Sequence, residues 1–518
     1  MGAGAKAAWR WMGAWWCRQG ASTLALGMVL MAVVGSLWVA THIFEDIPHL
    51  EDEFAYLWEA QVVAQRQVRI PSPPEPKSFL VPFVIDHQGW RFGKYPLGWP
   101  VMLSFGVRWG HPAWVNALLA GLAVWLTFRL GERLWSPEVG LLAAALTLTS
   151  PFFWLNVGSL LSHPLGLVLS AAFALAWLDG MAPRREKGPP SWLTALTAGG
   201  ALAALILTRP WTAVGVALPF GLWGSVGMLR GPGRVRRWVL AVGMVALLGV
   251  GGHLWWQTVL TGSPWTNPYT LWWPYDKVGF GPDVGRHGHT LHQAWVNTRF
   301  SLRVGSADLF GWGWSSWLFF PFGLWMARKN RQSWPVLAVF GSLVLVYLAY
   351  WVGAWLFGPR YYFEGLYSLT LLTALGVFSA AGWPVKRRPW PRRRGWRPLA
   401  VTALLALLVG LNVAFYLPLR LGGMRGLYTI RRSRLAPFLS AEAQRLTPAL
   451  VIVDTEHWMP YGNLLVLEDP WLTTPWIFAW SRGAGPDLRV AQAFPDRTII
   501  RYNPEEPYRF VIWRYPQR

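Results

Sequence analysis

Residues 22–44 read STLALGMVLMAVVGSLWVATHIF, a run without one Lys, Arg, Asp or Glu. An α-helix rises about 1.5 Å per residue, so roughly 20 apolar residues span a hydrocarbon core about 30 Å thick. The run follows Lys6, Arg10 and Arg18, is too long for a signal-peptide core, and shows no small-residue cleavage site before the acidic stretch beyond Phe44. It reads as a retained first membrane helix.

The same pattern recurs as far as Pro418. Helices are expected at about 22–44, 113–131, 138–157, 160–181, 192–208, 211–229, 238–260, 309–327, 334–356, 361–383 and 398–418. The composition agrees: 53% of the 518 residues are hydrophobic, only 14% are charged, and 39 are Trp, which is not the make-up of a soluble globule. Trp and Tyr gather near the ends of the runs, as interface anchors do.

The formal charge of +22 would suggest nucleic acid in a soluble protein. Here Lys and Arg are packed into short breaks between apolar runs, which is a topology signal, and no nucleic-acid partner is expected. Arg129 and Arg133, then Arg184, Arg185 and Lys187, then Arg230 to Arg237, then Arg328 to Arg331, then Lys386 to Arg397 fall on one side if each run crosses once. That side is the cytoplasm, with the N-terminus. To keep the parity, the Pro-broken segment Pro96–Gly110 lies along the outer interface instead of crossing. The basic cluster Arg420, Arg425, Arg431, Arg432 and Arg434 then falls outside, against the charge rule, which long terminal domains follow loosely.

The fold expected is an all-α polytopic membrane protein of about eleven transmembrane helices with a small C-terminal α/β extracytoplasmic domain. Residues 1–21 form a basic cytoplasmic N-terminus, 22–420 the membrane domain with outer loops 45–112 and 261–308, and 421–518 the soluble domain. In the tail an amphipathic helical stretch near Pro437–Leu446 and strand-like runs Ala449–Val453, Thr498–Tyr502 and Arg509–Trp513 support that reading. Cys17 has no second cysteine with which to form a disulfide or a thiolate metal site.

Four elements on the expected outer face carry chemistry. Glu51-Asp52-Glu53, followed by Tyr56 and an amphipathic stretch through Gln65, reads either as a solvated loop or as a catalytic carboxylate whose pKa is raised by desolvation at the lipid interface. Lys94-Tyr95-Pro96 leads into the interfacial segment; a snorkelling lysine is its plain reading. Arg209 stands between two apolar runs with almost no loop, where a guanidinium is costly unless it meets an anion or helix-end carbonyls. Gly358-Pro359-Arg360-Tyr361-Tyr362-Phe363-Glu364 puts another arginine at a helix start.

Lys94, Arg209 and Arg360 thus share a face with Asp52 and Glu53. Cations for a phosphate and a carboxylate for a hydroxyl are what glycosyl transfer from a lipid-phosphate sugar requires. His163, in Ser162-His163-Pro164, lies on the same side and reads as a hydrogen-bonded structural residue or a substrate contact. His287, His289 and His292 lack a carboxylate or cysteine spacing that would complete a metal site, so neither zinc nor any other cofactor is expected.

These residues resemble a family, the type-C membrane glycosyltransferases, in the branch of the protein O-mannosyltransferases and the aminoarabinose transferase. The resemblance covers roughly residues 22–383 in layout. Asp52, Glu53 and Tyr56 look like the family's first-loop motif, Lys94–Gly110 like its Pro-bounded interfacial helix, and Arg360-Tyr361-Tyr362 like a late outer-loop motif. Many relatives carry another acidic residue where this chain has His163. The resemblance implies a polyprenyl-phosphate sugar donor, inverting transfer on the outer face, and Asp52 as the base or an acceptor-binding carboxylate; Glu53 is read as a catalytic carboxylate beside it, and the membrane as a bacterial-type cell membrane. The grouping on the outer face places the donor phosphate at Arg209, Arg360 and Lys94, and substrate contacts are expected at Tyr56, Tyr95, His163 and Tyr361. The partners are membrane lipids, the lipid-linked donor, and a protein, glycolipid or polymer acceptor.

A transporter or flippase for a lipid-linked anion is the alternative, as is a non-catalytic polyprenyl-lipid-binding protein of the same fold. The near absence of mid-helix charge weighs against transport.

Overall fold

The computed structural model describes residues 3–181, 191–385 and 395–514, with side chains from residue 20 onward. Cys17 and the basic residues Lys6, Arg10, Arg18, Arg184, Arg185, Lys187 and those of 386–394 lie outside what is described at side-chain level.

After α1 (Ala3–His42) the chain forms α2 (Glu51–Ala64), then β1 (Ile70–Pro71), β2 (Val84–His87) and β3 (Trp90–Gly93), then α3 (Gly98–Arg108). The three strands make an antiparallel sheet of order β1-β3-β2. Its hairpin closes on Gln88 and Gly89, both at positive φ, as a two-residue turn between twisted strands requires. The first loop is therefore a folded unit built on the membrane domain.

Next come α4 (Ala113–Leu134), α5 (Pro137–Leu148), α6 (Pro151–Val157), α7 (His163–Met181), α8 (Trp192–Thr208), α9 (Pro210–Arg230) and α10 (Gly233–Thr261). Ser150 accepts a hydrogen bond from the Phe153 N–H and Pro151 opens the new helix, so α5 and α6 meet at 66°. A loop bearing α11 (Pro268–Trp272) leads to α12 (Leu291–Asp308), α13 (Phe320–Ala327) and α14 (Trp334–Tyr347). The turn Arg360–Gly365 then enters α15 (Leu366–Ala381), and α16 (Trp396–Leu411) runs through a π-turn into α17 (Leu417–Gly422). The run Arg360–Ala381 is 89% buried and Trp396–Gly422 only 6%, so α15 is the centre of the bundle and α16 a peripheral, lipid-facing helix.

Among the described residues seven helices are long and apolar enough to cross a membrane, or eight if α5 and α6 count as one span. The expectation of eleven is corrected accordingly. The run 309–327 breaks because Gly311 and Gly313 take positive φ, leaving a 3₁₀ turn at Gly313–Trp317 and the eight-residue α13. The run 334–356 stops at Tyr347, and at 17 residues α8 is shorter than a full crossing.

The tail holds α18 (Ala436–Leu439), α19 (Ala441–Gln444), β4 (Ala449–Val453), α20 (Trp458–Gly462), β5 (Trp476–Trp480), α21 (Ala484–Ala493), β6 (Thr498–Tyr502) and β7 (Phe510–Ile512). The sheet order is β5-β4-β6-β7, parallel except for β7. β4 is buried throughout, as a central parallel strand covered on both faces must be. β5 and α21 were not read from the sequence, and the single helix expected near 437–446 is two short ones.

This domain rests on the first loop. Phe54 packs edge-on against Trp458, Arg482 donates from Nε to the Lys77 carbonyl at 2.9 Å, and Arg489 pairs with Glu75. Arg420, from the basic cluster, is held lower down by Asp308 at 3.0 Å.

Candidate active site

Pro210 cannot extend α8, and the residue before a proline is disfavoured in helical geometry. Arg209 accordingly takes φ −148°, ψ 80° between α8 and α9, which releases its side chain into the bundle. Its Nε lies 3.1 Å from Glu364 Oε1, while Nη1 donates to Ser162 Oγ at 3.2 Å and Nη2 to the Tyr347 hydroxyl at 3.3 Å. His163 Nδ1 meets the same Glu364 oxygen at 3.1 Å. Gly166 makes room for that carboxylate: a Cβ there would stand 2.7 Å from Glu364 Oε1.

Asp52 sits in the first turn of α2. Its Oδ1 accepts from the Tyr95 hydroxyl at 2.5 Å and its Oδ2 lies 3.3 Å from Arg360 Nη2. Tyr95 leans on Tyr56 with ring centroids 4.4 Å apart, and the Tyr56 hydroxyl reaches Ser162 Oγ at 3.2 Å. Tyr361 stacks on Tyr347 at 5.0 Å.

Lys94 is almost fully buried, its Nζ 3.4 Å from Asp276 Oδ2. Asp276 Oδ1 accepts from the Tyr350 hydroxyl and the Trp351 indole N–H, each at 3.1 Å. Around the ammonium stand the rings of Phe83 at 3.7 Å, Tyr269 at 4.8 Å and Trp273 at 5.1 Å, an aromatic cage for a cation.

The three cations, Asp52, Asp276 and the tyrosines around them line one cavity of about 390 Å³. It brings together Asp52, Lys94, Arg209, Arg360, Tyr56, Tyr95, His163 and Tyr361, eight of the nine residues singled out from sequence. Glu53 is the exception. Its Oε2 accepts from the N–H groups of His49 and Leu50, both at 2.9 Å, and its Oε1 from the Leu160 N–H at 2.7 Å, so it caps α2 and pins the 159–161 turn. Successive helical residues are turned by about 100°, and it is Glu51, not Glu53, that joins Asp52 in the cavity wall.

The electrostatics also differ from expectation at Asp52. Burial pushes its carboxyl up, but Arg360, the Tyr95 hydroxyl, Lys94 and Arg209 together outweigh burial and hold it below the ordinary carboxylate range. Glu51 goes the other way, raised by burial and by Asp52 against Lys94. Burial lowers the Lys94 ammonium, with Asp276 and Asp52 opposing.

Asp276, Glu364, Tyr347 and Tyr350 were not assigned roles from sequence. The pairing of each cation with an acid from a distant segment, Arg360 with Asp52, Arg209 with Glu364 and Lys94 with Asp276, emerges only in three dimensions. Among the described residues no three His, Cys, Asp or Glu side chains converge on a common point, and His289 is engaged with the Leu348 carbonyl at 2.9 Å.

No family model matches the chain, and no curated protein matches it in sequence. Solved structures match it in shape. ArnT from Cupriavidus metallidurans bound to undecaprenyl phosphate shares 13% identity over 92% of this chain and 88% of its own, with a TM-score of 0.55. The archaeal oligosaccharyltransferase AglB from Archaeoglobus fulgidus, in complex with an inhibitory peptide and a dolichol-phosphate, shares 11% identity over 92% of this chain and 69% of its own, with a TM-score of 0.53. The chain is a multi-pass membrane protein with the fold of these type-C lipid-linked-sugar glycosyltransferases.

Proposed function

We propose that the chain transfers a sugar from a polyprenyl-phosphate-linked donor to an acceptor hydroxyl, with inversion, on the outer face of a bacterial-type cell membrane. The observation that carries this reading is the shared cavity of an ionised carboxylate, Asp52, and three cations, Lys94, Arg209 and Arg360. The likeness in fold to proteins holding undecaprenyl phosphate and dolichol-phosphate supports the class of donor.

The chemistry follows from charge. A sugar joined to a lipid phosphate is a phosphodiester with one negative charge, and breaking the sugar–oxygen bond leaves a monoester with two. Lys94, Arg209 and Arg360 stabilise that added charge inside a largely apolar wall, where preorganised cations act most strongly. Asp52 takes the proton from the acceptor hydroxyl as its oxygen attacks the anomeric carbon from the face opposite the departing phosphate. The Tyr95 hydroxyl and Arg360 fix the carboxylate's orientation and keep it ionised at neutral pH. Tyr56, Tyr361 and His163 line the space between and contact the substrates.

With the N-terminus cytoplasmic and α1 crossing once, the loop that carries Asp52 lies outside, and the C-terminal domain packed on that loop lies outside with it. The direct test is to incubate the purified protein with a panel of polyprenyl-phosphate sugars and measure release of the lipid phosphate. Release with at least one donor, dependent on an acceptor, is expected; binding without release across the panel would leave a lipid-binding protein of this fold.

A further inference from the structure

A second, larger cavity of about 560 Å³ lies on the other side of the first turn of α2. Its volume falls within the roughly 300–1,000 Å³ of small-molecule sites. The two cavities share a thin wall: Asp52 and Leu161 face the first, Glu53 and Leu160 the second. Glu53 and the Trp99 indole clamp Leu160 from both sides, the former accepting from its N–H and the latter donating to its carbonyl at 3.0 Å.

The second cavity is amphipathic. Leu37, Phe44, Ile47, Leu57 and Trp114 supply apolar walls between the end of α1 and the start of α4. At its mouth stand exposed Asp46, His111 and Arg432. Burial raises the Asp46 carboxyl, and the charges of Arg432, His111 and His42 oppose this. Glu45 and Asp46 are consecutive non-glycine residues at φ 53° and 55°, a costly backbone that persists where a site needs it. Glu45 accepts from the Arg432 N–H at 2.6 Å, which holds Arg432 at the opening. Trp38 and Trp114, both 47% exposed, flank the mouth as interfacial tryptophans do, and Leu30, Met31 and Val34 continue along the lipid-facing side of α1.

A carboxylate and a guanidinium at the mouth of one apolar slot match a headgroup carrying both signs of charge. We propose that this cavity holds an amine-bearing phospholipid, its ammonium at Asp46, its phosphate at Arg432 and His111, and the upper part of one acyl chain along Leu37 and Phe44. A headgroup lacking the primary amine loses the charge-assisted N–H bonds to Asp46; a headgroup lacking the positive charge leaves that carboxylate facing phosphate. The site is distinct from the one that holds Asp52, since the two cavities have no lining residue in common.

The test is native mass spectrometry of the full chain extracted from bilayers containing equal parts phosphatidylethanolamine, phosphatidylglycerol and phosphatidylcholine. The expected result is one retained phosphatidylethanolamine per chain, preferred about tenfold over the other two. Asp46→Asn, an exposed change that spares the fold, should erase the preference, and Ala113→Trp, which fills the slot, should remove the lipid. Asp52→Asn should leave lipid retention unchanged, so a failure of the transferase reading is read separately. Retention with no headgroup preference, or an undiminished lipid in both Asp46→Asn and Ala113→Trp, would overturn the proposal.

Discussion

Arg360 Nη2 lies 3.3 Å from Asp52 Oδ2, joining the start of a buried central helix to the first loop across 308 residues of sequence. The pair sets an ionised acid beside a cation at the wall of a cavity large enough for a phosphorylated sugar. Replacing Arg360 with Gln should remove one phosphate contact worth about 1.5–3 kcal/mol, a ten- to hundredfold loss in kcat/KM carried mainly by the donor. Steady-state kinetics at varied donor concentration check this, and unchanged constants would return Arg360 to a role in holding the loop.

Arg209 should behave differently, because its partner Glu364 is fully buried. Arg209→Gln leaves that carboxyl without its cation, a change that costs about 3–5 kcal/mol where the group stays charged. A lowered melting temperature should accompany the lost activity. The double variant Arg209→Gln, Glu364→Gln should regain stability without regaining turnover, as thermal unfolding in detergent would reveal.

Asp276→Asn tests the third pair through pH. Burial already lowers the Lys94 pKa, and the Asp276 carboxylate opposes that fall. Without it Lys94 loses its proton at lower pH, so the alkaline limb of the kcat/KM profile should move to lower pH. A profile that keeps its alkaline limb would mean that Lys94 does not contact the donor phosphate.

In the C-terminal domain, burial pushes the Glu468 carboxyl up to about 8 despite the Phe478 N–H and Arg91. A raised folded-state pKa means that the folded form binds the proton more tightly. Its stabilisation is complete below the unfolded value near 4.5 and fades as pH rises through about 8. Melting temperature should therefore fall between pH 5 and pH 9, and Glu468→Gln should flatten the curve.

Much of the candidate site was legible because its charged residues stand at breaks between apolar runs, where a charge escapes the lipid. Once the apolar runs were laid out, Asp52, Lys94, Arg209 and Arg360 fell to one side, and the structure gathers them in one cavity although the number of spans is smaller than eleven. The runs 309–327 and 334–356 misled because apolar composition does not register the backbone breaks at Gly311 and Gly313 or the end of α14 at Tyr347. Glu53 was assigned with Asp52 because adjacency in sequence does not show that its carboxylate is taken up by the N–H groups of His49, Leu50 and Leu160. Asp276 escaped notice because its significance rests on Lys94, which lies 182 residues away. β5 and α21 were missed in a tail whose Pro and Gly residues blur periodicity.

Whether Asp52 and the cations act on the same reacting pair is tested most directly by measuring, on one Asp52→Asn preparation, both polyprenyl-phosphate affinity and release of lipid phosphate from the sugar donor. The change preserves volume and removes only charge. Affinity within a few-fold of the unaltered protein together with release reduced by at least about a hundredfold is the expected outcome. Release at the unaltered rate would contradict the assignment of Asp52 as the base.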